Sequence, residues 1–106
     1  MPLPPALTPE QRQAALHKAA AARRQRAEVK EKLKAGSTTL REVLDMGERD
    51  EIIGKLKTVT VLESLPGLGK VRARRVMDEL EISENRRLRG LGSKQREALL
   101  RRFDSR

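Results

Sequence analysis

This 106-residue sequence predicts an all-α fold, with a long N-terminal helix leading into a compact core of short helices. Three observations carry that expectation. Helix start and stop signals recur along the chain, beginning with Thr8-Pro9-Glu10-Gln11. The apolar residues are crowded into the later part: of the large ones (Leu, Ile, Val, Met, Phe), 24 follow residue 28 and four precede it. The single run with strand propensity, Thr58-Val59-Thr60-Val61-Leu62, has no second convincing strand to pair with, so it reads as helix.

Met1 to Leu7 is a Pro-rich lead, expected to be disordered. Thr8 can then serve as N-cap, Pro9 suits the first helical position, and Gln11 completes a capping box. The helix should run to Ala35, with Gly36 just past its end. It is rich in alanine, which favours helix strongly. Leu16 is its only large apolar residue before Val29, so the first half should pack poorly. Val29 and Leu33, one turn apart, can dock on a core. The predicted division is therefore a lead (1–7), a basic helical arm (8–35) and a compact core (36–106). Lys18, Arg23, Arg24, Arg26 and Lys30 are expected to be exposed on the arm, and His17 to be a surface residue.

Within the core, Ser37 or Thr39 caps a second helix through Leu40, Val43 and Leu44, with Gly47 placed after its end. Glu48 to Leu56 predicts a short third helix. Thr60 and Glu63 have capping-box spacing for a fourth, ending at Leu65. A fifth should run from Gly69 to Leu80 with Ala73, Val76, Met77 and Leu80 as its buried stripe. Ser93 is placed as the N-cap of the last.

The stretch that bears most on function is Leu65-Pro66-Gly67-Leu68-Gly69-Lys70-Val71-Arg72-Ala73. Pro66 lacks an N–H and ends the preceding helix. Gly67 and Gly69 permit positive φ, and without Cβ atoms they let an outside group approach the main chain. The first N–H groups of the following helix have no intrahelical partner, and with the helix dipole they form an anion site. Lys70, Arg72, Arg74 and Arg75 add full charges, with Lys70 and Arg74 on one helix face. Such a run can also be a plain turn with a solvated basic face. Its nine-residue extent and the basic chain around it favour the phosphate reading. A nucleotide-binding P-loop fits poorly: the glycine spacing is wrong, and Val71 stands where a magnesium-binding hydroxyl belongs.

A fainter echo follows 23 residues later as Gly90-Leu91-Gly92. With Arg86, Arg87, Arg89, Ser93 and Lys94 around it, this is a candidate second DNA-contact region. The competing expectation is a turn that folds the last helix over the core, favoured because no proline precedes Gly90 and Ser93 replaces the lysine.

Charge and aromatic content narrow the partner. The formal net charge is +9, from 24 basic and 15 acidic residues. Residues 1–35 hold eight basic and three acidic side chains and residues 66–106 hold twelve and six. The middle, 36–65, is net acidic, with four and six, and is expected to be scaffold. Such an excess favours nucleic acid or an anionic surface. No apolar run approaches a membrane span, and Met1-Pro2-Leu3-Pro4-Pro5 lacks the marks of a secretory signal. Phe103 is the only aromatic residue, so there is no platform for stacking single-stranded bases, and duplex is the expected partner. No cysteine is present, which fits a reducing cytoplasm.

Residues 62–73, Leu62-Glu63-Ser64-Leu65-Pro66-Gly67-Leu68-Gly69-Lys70-Val71-Arg72-Ala73, and 89–96, Arg89-Gly90-Leu91-Gly92-Ser93-Lys94-Gln95-Arg96, carry a family pattern. The chain closely resembles the actinobacterial integration host factors from about Ala15 to Phe103. That resemblance implies a helix-two-turns-helix (S13-like) core that binds double-stranded DNA with little sequence preference. It also implies roles in DNA topology, nucleoid organisation and phage site-specific recombination, with integrase and topoisomerase reached indirectly through DNA. A cytoplasmic, nucleoid-located monomer without cofactor or metal is expected. The same fold element is similar to one in ribosomal protein S13, which makes an RNA-binding module the alternative. That alternative would call for a long basic C-terminal tail, whereas the sequence ends three residues past Phe103. DNA glycosylases that share the element use an N-terminal proline followed by glutamate, or a catalytic lysine at the seventh position of the hairpin run. Here Pro2 is followed by Leu3 and the seventh position is Val71, so an enzyme is not expected.

Overall fold

The computed structural model describes residues 7–104. The Pro-rich lead expected over 1–7 falls outside them except for Leu7, which is exposed. Among the described residues there are six α-helices and no strand beyond one isolated bridge between Lys57 and Arg87.

Helix α1 (Pro9–Ala35) starts as its local signals dictate. The Thr8 side chain accepts from the Gln11 N–H, the Gln11 side chain accepts from the Thr8 N–H, and Pro9 sits in the first turn. It ends at Gly36 in the left-handed region, with the Gly36 N–H donating to the Leu33 carbonyl. Only Val29 and Leu33 are buried along it, so the stretch before them projects from the body. The molecule measures 55 × 33 × 25 Å with a radius of gyration of 16.6 Å. A compact chain of this length would have a radius of about 13 Å, and the arm accounts for the excess. Lys18, Arg23 and Arg24 are exposed, as the sequence predicts, but Arg26 and Lys30 are half-covered at the junction with the core. There the Gln25 side chain also bonds the Asp50 carboxylate.

Two boundaries differ from the sequence expectation for one shared reason. Helix α2 (Leu40–Arg49), capped by Thr39 rather than Ser37, runs straight through Gly47. Helix α3 (Glu51–Gly54) is one short turn rather than the span Glu48–Leu56, because the extended Asp50 separates it from α2 and caps it through the Ile52 N–H. Gly47 and Gly54 are where α2, α3 and the later chain meet. A Cβ on Gly54 would lie 2.6 Å from the Gly47 carbonyl oxygen, and one on Gly47 would lie 3.3 Å from the Leu88 Cβ. Gly47 therefore serves close approach inside a helix and does not stop it.

Helix α4 (Thr58–Glu63) is helix despite its β-branched residues, but it begins two residues before the expected Thr60 cap, and its start has no side-chain cap. The Thr58 N–H donates to the Arg86 carbonyl instead, and the Leu88 N–H to the Leu56 carbonyl. These long-range bonds set the start that local capping would have placed later. Helix α5 (Gly69–Glu79) buries Ala73, Val76 and Met77, with Leu80 half-buried beyond them. Helix α6 (Ser93–Asp104) follows a single 3-10 turn, Leu88–Gly90. Ser93 is the first helical residue and not the cap. The Gly92 carbonyl accepts from the Arg96 N–H, and the Gln95 side chain accepts from the Gly92 N–H.

One core holds these pieces together. Leu33, Val43, Ile53, Val61, Leu62, Met77 and Leu99 are each at most 1% exposed. Helices α4 and α5 pack together across the Pro66–Leu68 hairpin, α2 packs against α3 and α6, and the base of α1 contacts α3. Burial of each such aliphatic side chain contributes about 1.5–3 kcal/mol. The hairpin is thus a protruding corner on a fixed frame.

Candidate nucleic-acid interface

The corner is built as the local sequence requires. Ser64 ends α4, donating its hydroxyl to the Thr60 carbonyl. Pro66 and Gly67 are exposed, and Leu68 is half-buried against the core. Gly67 has φ +75° and Gly69 φ +76°, which an L side chain adopts only with strain. An added Cβ at either would meet nothing within 4 Å, so neither glycine is demanded by internal packing. They are demanded by the backbone path, and the space in front of them is open.

Helices α1, α2 and α3 are each capped by a side-chain oxygen, whereas α5 starts on Leu68, which has none to offer. The Leu68 N–H donates to the Leu65 carbonyl, but the N–H groups of Gly67, Gly69, Lys70 and Val71 have no partner among the described residues. Four donors at the positive end of an eleven-residue helix make a strong local preference for an anion. A phosphate oxygen is well matched to such donors.

The charged side chains divide by partner. Lys70, Arg72 and Arg75 are exposed and make no ion pair among the described residues. Arg74 is occupied: its Nε lies 3.3 Å from a Glu84 carboxylate oxygen. Of the neighbouring pair Arg74 and Arg75, Arg75 is the freer cation and Arg74 is partly neutralised.

The second glycine pair does not repeat the first. Neither Gly90 nor Gly92 has positive φ. The Gly90 N–H donates to the Arg87 carbonyl, the Leu91 N–H to Leu88, and the Gly92 N–H to Gln95, so the main chain there is satisfied internally. The arginines, though exposed, also have partners within the chain. Arg86 Nη1 donates to the Gly90 carbonyl at 3.2 Å, Arg87 Nη1 to the Lys55 carbonyl at 2.5 Å, and Arg89 pairs with Glu51 at 3.7 Å. Arg96, one turn into α6, bridges Asp45 and Glu48 of α2. The acidic middle of the chain thus neutralises the arginines that fold the last helix down. Lys94 and Ser93 remain exposed beside the turn. This geometry is that of a turn whose own N–H groups are bonded within the chain.

Among the described residues, no group of three or more His, Cys, Asp or Glu is placed to hold a metal ion, and no helix is long and apolar enough to cross a membrane.

Comparison with known proteins identifies the family over most of the chain. The model of an S13-like H2TH domain matches residues 33–103. The chain is 60% identical over 100 residues to a protein of Mycolicibacterium smegmatis named integration host factor, covering 94% of this chain and 95% of that one. It is 60% identical over 105 residues to the integration host factor of Streptomyces coelicolor, covering 99% and 97%. The integration host factor of Mycobacterium tuberculosis is 59% identical over 101 residues, covering 95% and 96%. The solved structure of sIHF bound to an 8-base-pair palindromic DNA superposes with a TM-score of 0.81 at 56% identity, covering 82% of this chain and 98% of that one.

Proposed function

Since this chain belongs to the integration host factor family and carries an S13-like H2TH domain, we propose that it is a nucleoid-associated protein that grips double-stranded DNA by its sugar–phosphate backbone. The observation that carries the reading is the uncapped start of α5, where four N–H groups have no partner among the described residues, beside three cations without ion pairs. The N–H groups of Gly67, Gly69, Lys70 and Val71 hold a phosphate, and Lys70, Arg72 and Arg75 add charge, with Arg74 joining once Glu84 is displaced. Pro66 and Leu68 fix the corner: one ends the preceding path and the other anchors it to the core.

Contacts of this kind position a protein on DNA without reading bases. Weak sequence selectivity follows, with a preference for duplexes that deform easily. The protein acts through DNA topology, nucleoid organisation and site-specific recombination, and an integrase or topoisomerase feels it only through the shared DNA. It works as a monomer without catalysis or cofactor, in the cytoplasmic nucleoid, with arm (8–35) and core (36–106) as its two parts. Side chains around Ser93 and Lys94 extend the contact at the edge of the core. A ribosomal-type RNA-binding role has less support, because relatives matching 94–99% of the chain carry the integration host factor name.

Equal lengths of duplex DNA, single-stranded DNA and duplex RNA, titrated across salt, test the reading. Duplex DNA should bind most tightly. Its log K should fall with log salt by about 0.9 per phosphate engaged, or roughly −3 to −5 in total if both basic faces contribute. Salt-insensitive binding, or equal affinity for all three, would contradict it.

A further inference from the structure

Three large apolar side chains stand clear of the core among the described residues: Leu7, Leu16 and Val71. The first two belong to the lead and the arm. Val71 lies on the compact core and is the most exposed of the three, at 72%. It is the third residue of α5, so its own N–H is one of the open donors. It is not a stray member of the buried stripe. Ala73, two residues on, is fully buried, and two residues are about 200° around a helix.

The direction of the side chain follows from helix geometry. Cα–Cβ bonds in a helix tilt toward its N-terminus. The two Val71 methyls therefore lean toward the opening where α5 begins, alongside the group its main chain would hold. A β-branched side chain is already stiff at χ1, so pressing it against a ligand costs little entropy. In a nucleic-acid strand, every internal phosphate is flanked by a sugar on each side.

Resting on the reading of the hairpin as a DNA clamp, we infer that Val71 seats the deoxyribose next to the held phosphate, and thereby favours deoxyribose over ribose. The apolar carbons of the sugar meet the methyls and lose water from both surfaces. A ribose in the same place would press its 2′-hydroxyl toward a surface with no donor or acceptor, stripping water without replacement. Lys70 and Arg72, on either side in sequence, attract both polymers alike through charge. Val71 adds the element that distinguishes them.

The test compares wild type with Val71→Ala, Val71→Thr and Lys70→Gln on duplex DNA and on duplex RNA of matching sequence, by fluorescence anisotropy at several salt concentrations. Circular dichroism confirms folding, which an exposed position should leave intact. Val71→Thr, which exchanges one methyl, should weaken DNA binding about fourfold, the effect of one buried CH₂ group, and Val71→Ala, which loses two carbons, about 15-fold, with the salt slope unchanged because no charge is lost. RNA binding should change less, so the DNA-to-RNA preference shrinks, most in Val71→Thr. DNA affinity equal to wild type in both variants, or equal losses on DNA and RNA, overturns the inference. Lys70→Gln should reduce the salt slope by about one. If that slope does not move, the grip itself is wrong, and the role of Val71 falls with it.

Discussion

Replacing Gly69 by alanine separates a turn from a clamp. Gly69 sits at φ +76° with nothing within 4 Å of an added Cβ, so the substitution creates no internal clash. Its cost inside the protein is conformational, roughly 1–2 kcal/mol for an L residue in the left-handed region. For a domain of this size that lowers Tm by about 4–8 °C per kcal/mol. Gly36 provides a matched control, because it has φ +74°, equally empty surroundings, and a position at the end of α1 away from the hairpin. Gly36→Ala and Gly69→Ala should therefore lose similar stability. They should differ in binding. The added methyl at Gly69 occupies the open approach to the donors, and relief of the strain rotates the neighbouring N–H groups away. Loss of one charge-assisted hydrogen bond is worth about 1.5–3 kcal/mol, which corresponds to roughly 10- to 100-fold in Kd. Thermal melts and anisotropy with duplex DNA would measure both quantities on both variants, and Gly69→Val should extend the effect with helical content retained. Equal DNA affinity for Gly36→Ala and Gly69→Ala, at equal stability loss, would refute the clamp and leave the hairpin as a turn only.

Other perturbations probe the frame. Gly54→Ala forces a Cβ to within 2.6 Å of the Gly47 carbonyl oxygen, so stability should drop by about 1–3 kcal/mol in a denaturant melt. Leu33→Ala, at a site with no exposed surface, should cost about 2–5 kcal/mol by the same assay. Leu16→Ala, on the projecting arm and 58% exposed, should change stability by less than about 0.5 kcal/mol. A comparable loss at Leu16 would mean that the arm is packed after all.

What could be read in advance was what a few consecutive residues decide. Thr8, Pro9 and Gln11 contain the whole start of α1, since each partner of the capping box lies within one turn. Pro66, Gly67 and Gly69 likewise contain the hairpin, because proline blocks one path and glycine opens another without help from distant residues. Reasoning of the same kind misplaced Gly47, Thr60 and Ser93. For the first two, a residue with strong local meaning was overruled by a neighbour farther along the chain, Gly54 and Leu88 for Gly47 and Arg86 for Thr60; for Ser93 a competing local turn, Gly92 bonded to Gln95, took the capping position.

The likeness of Gly67-Leu68-Gly69 to Gly90-Leu91-Gly92 marks the same limit. Letters alone present two candidate clamps. The folded structure leaves the main chain of the first open, and closes the second with bonds to Arg86, Arg87 and Gln95, all within four residues. It also decides which cations stay available, pairing Arg74, Arg89 and Arg96 with acids from other segments while Lys70, Arg72 and Arg75 remain unpaired. By itself the sequence determined the helical class, the free-standing arm and the donor-rich corner, because propensity, capping and φ preference act over single turns. Only the folded molecule decided which charges are spent internally, because that depends on residues that folding alone brings together.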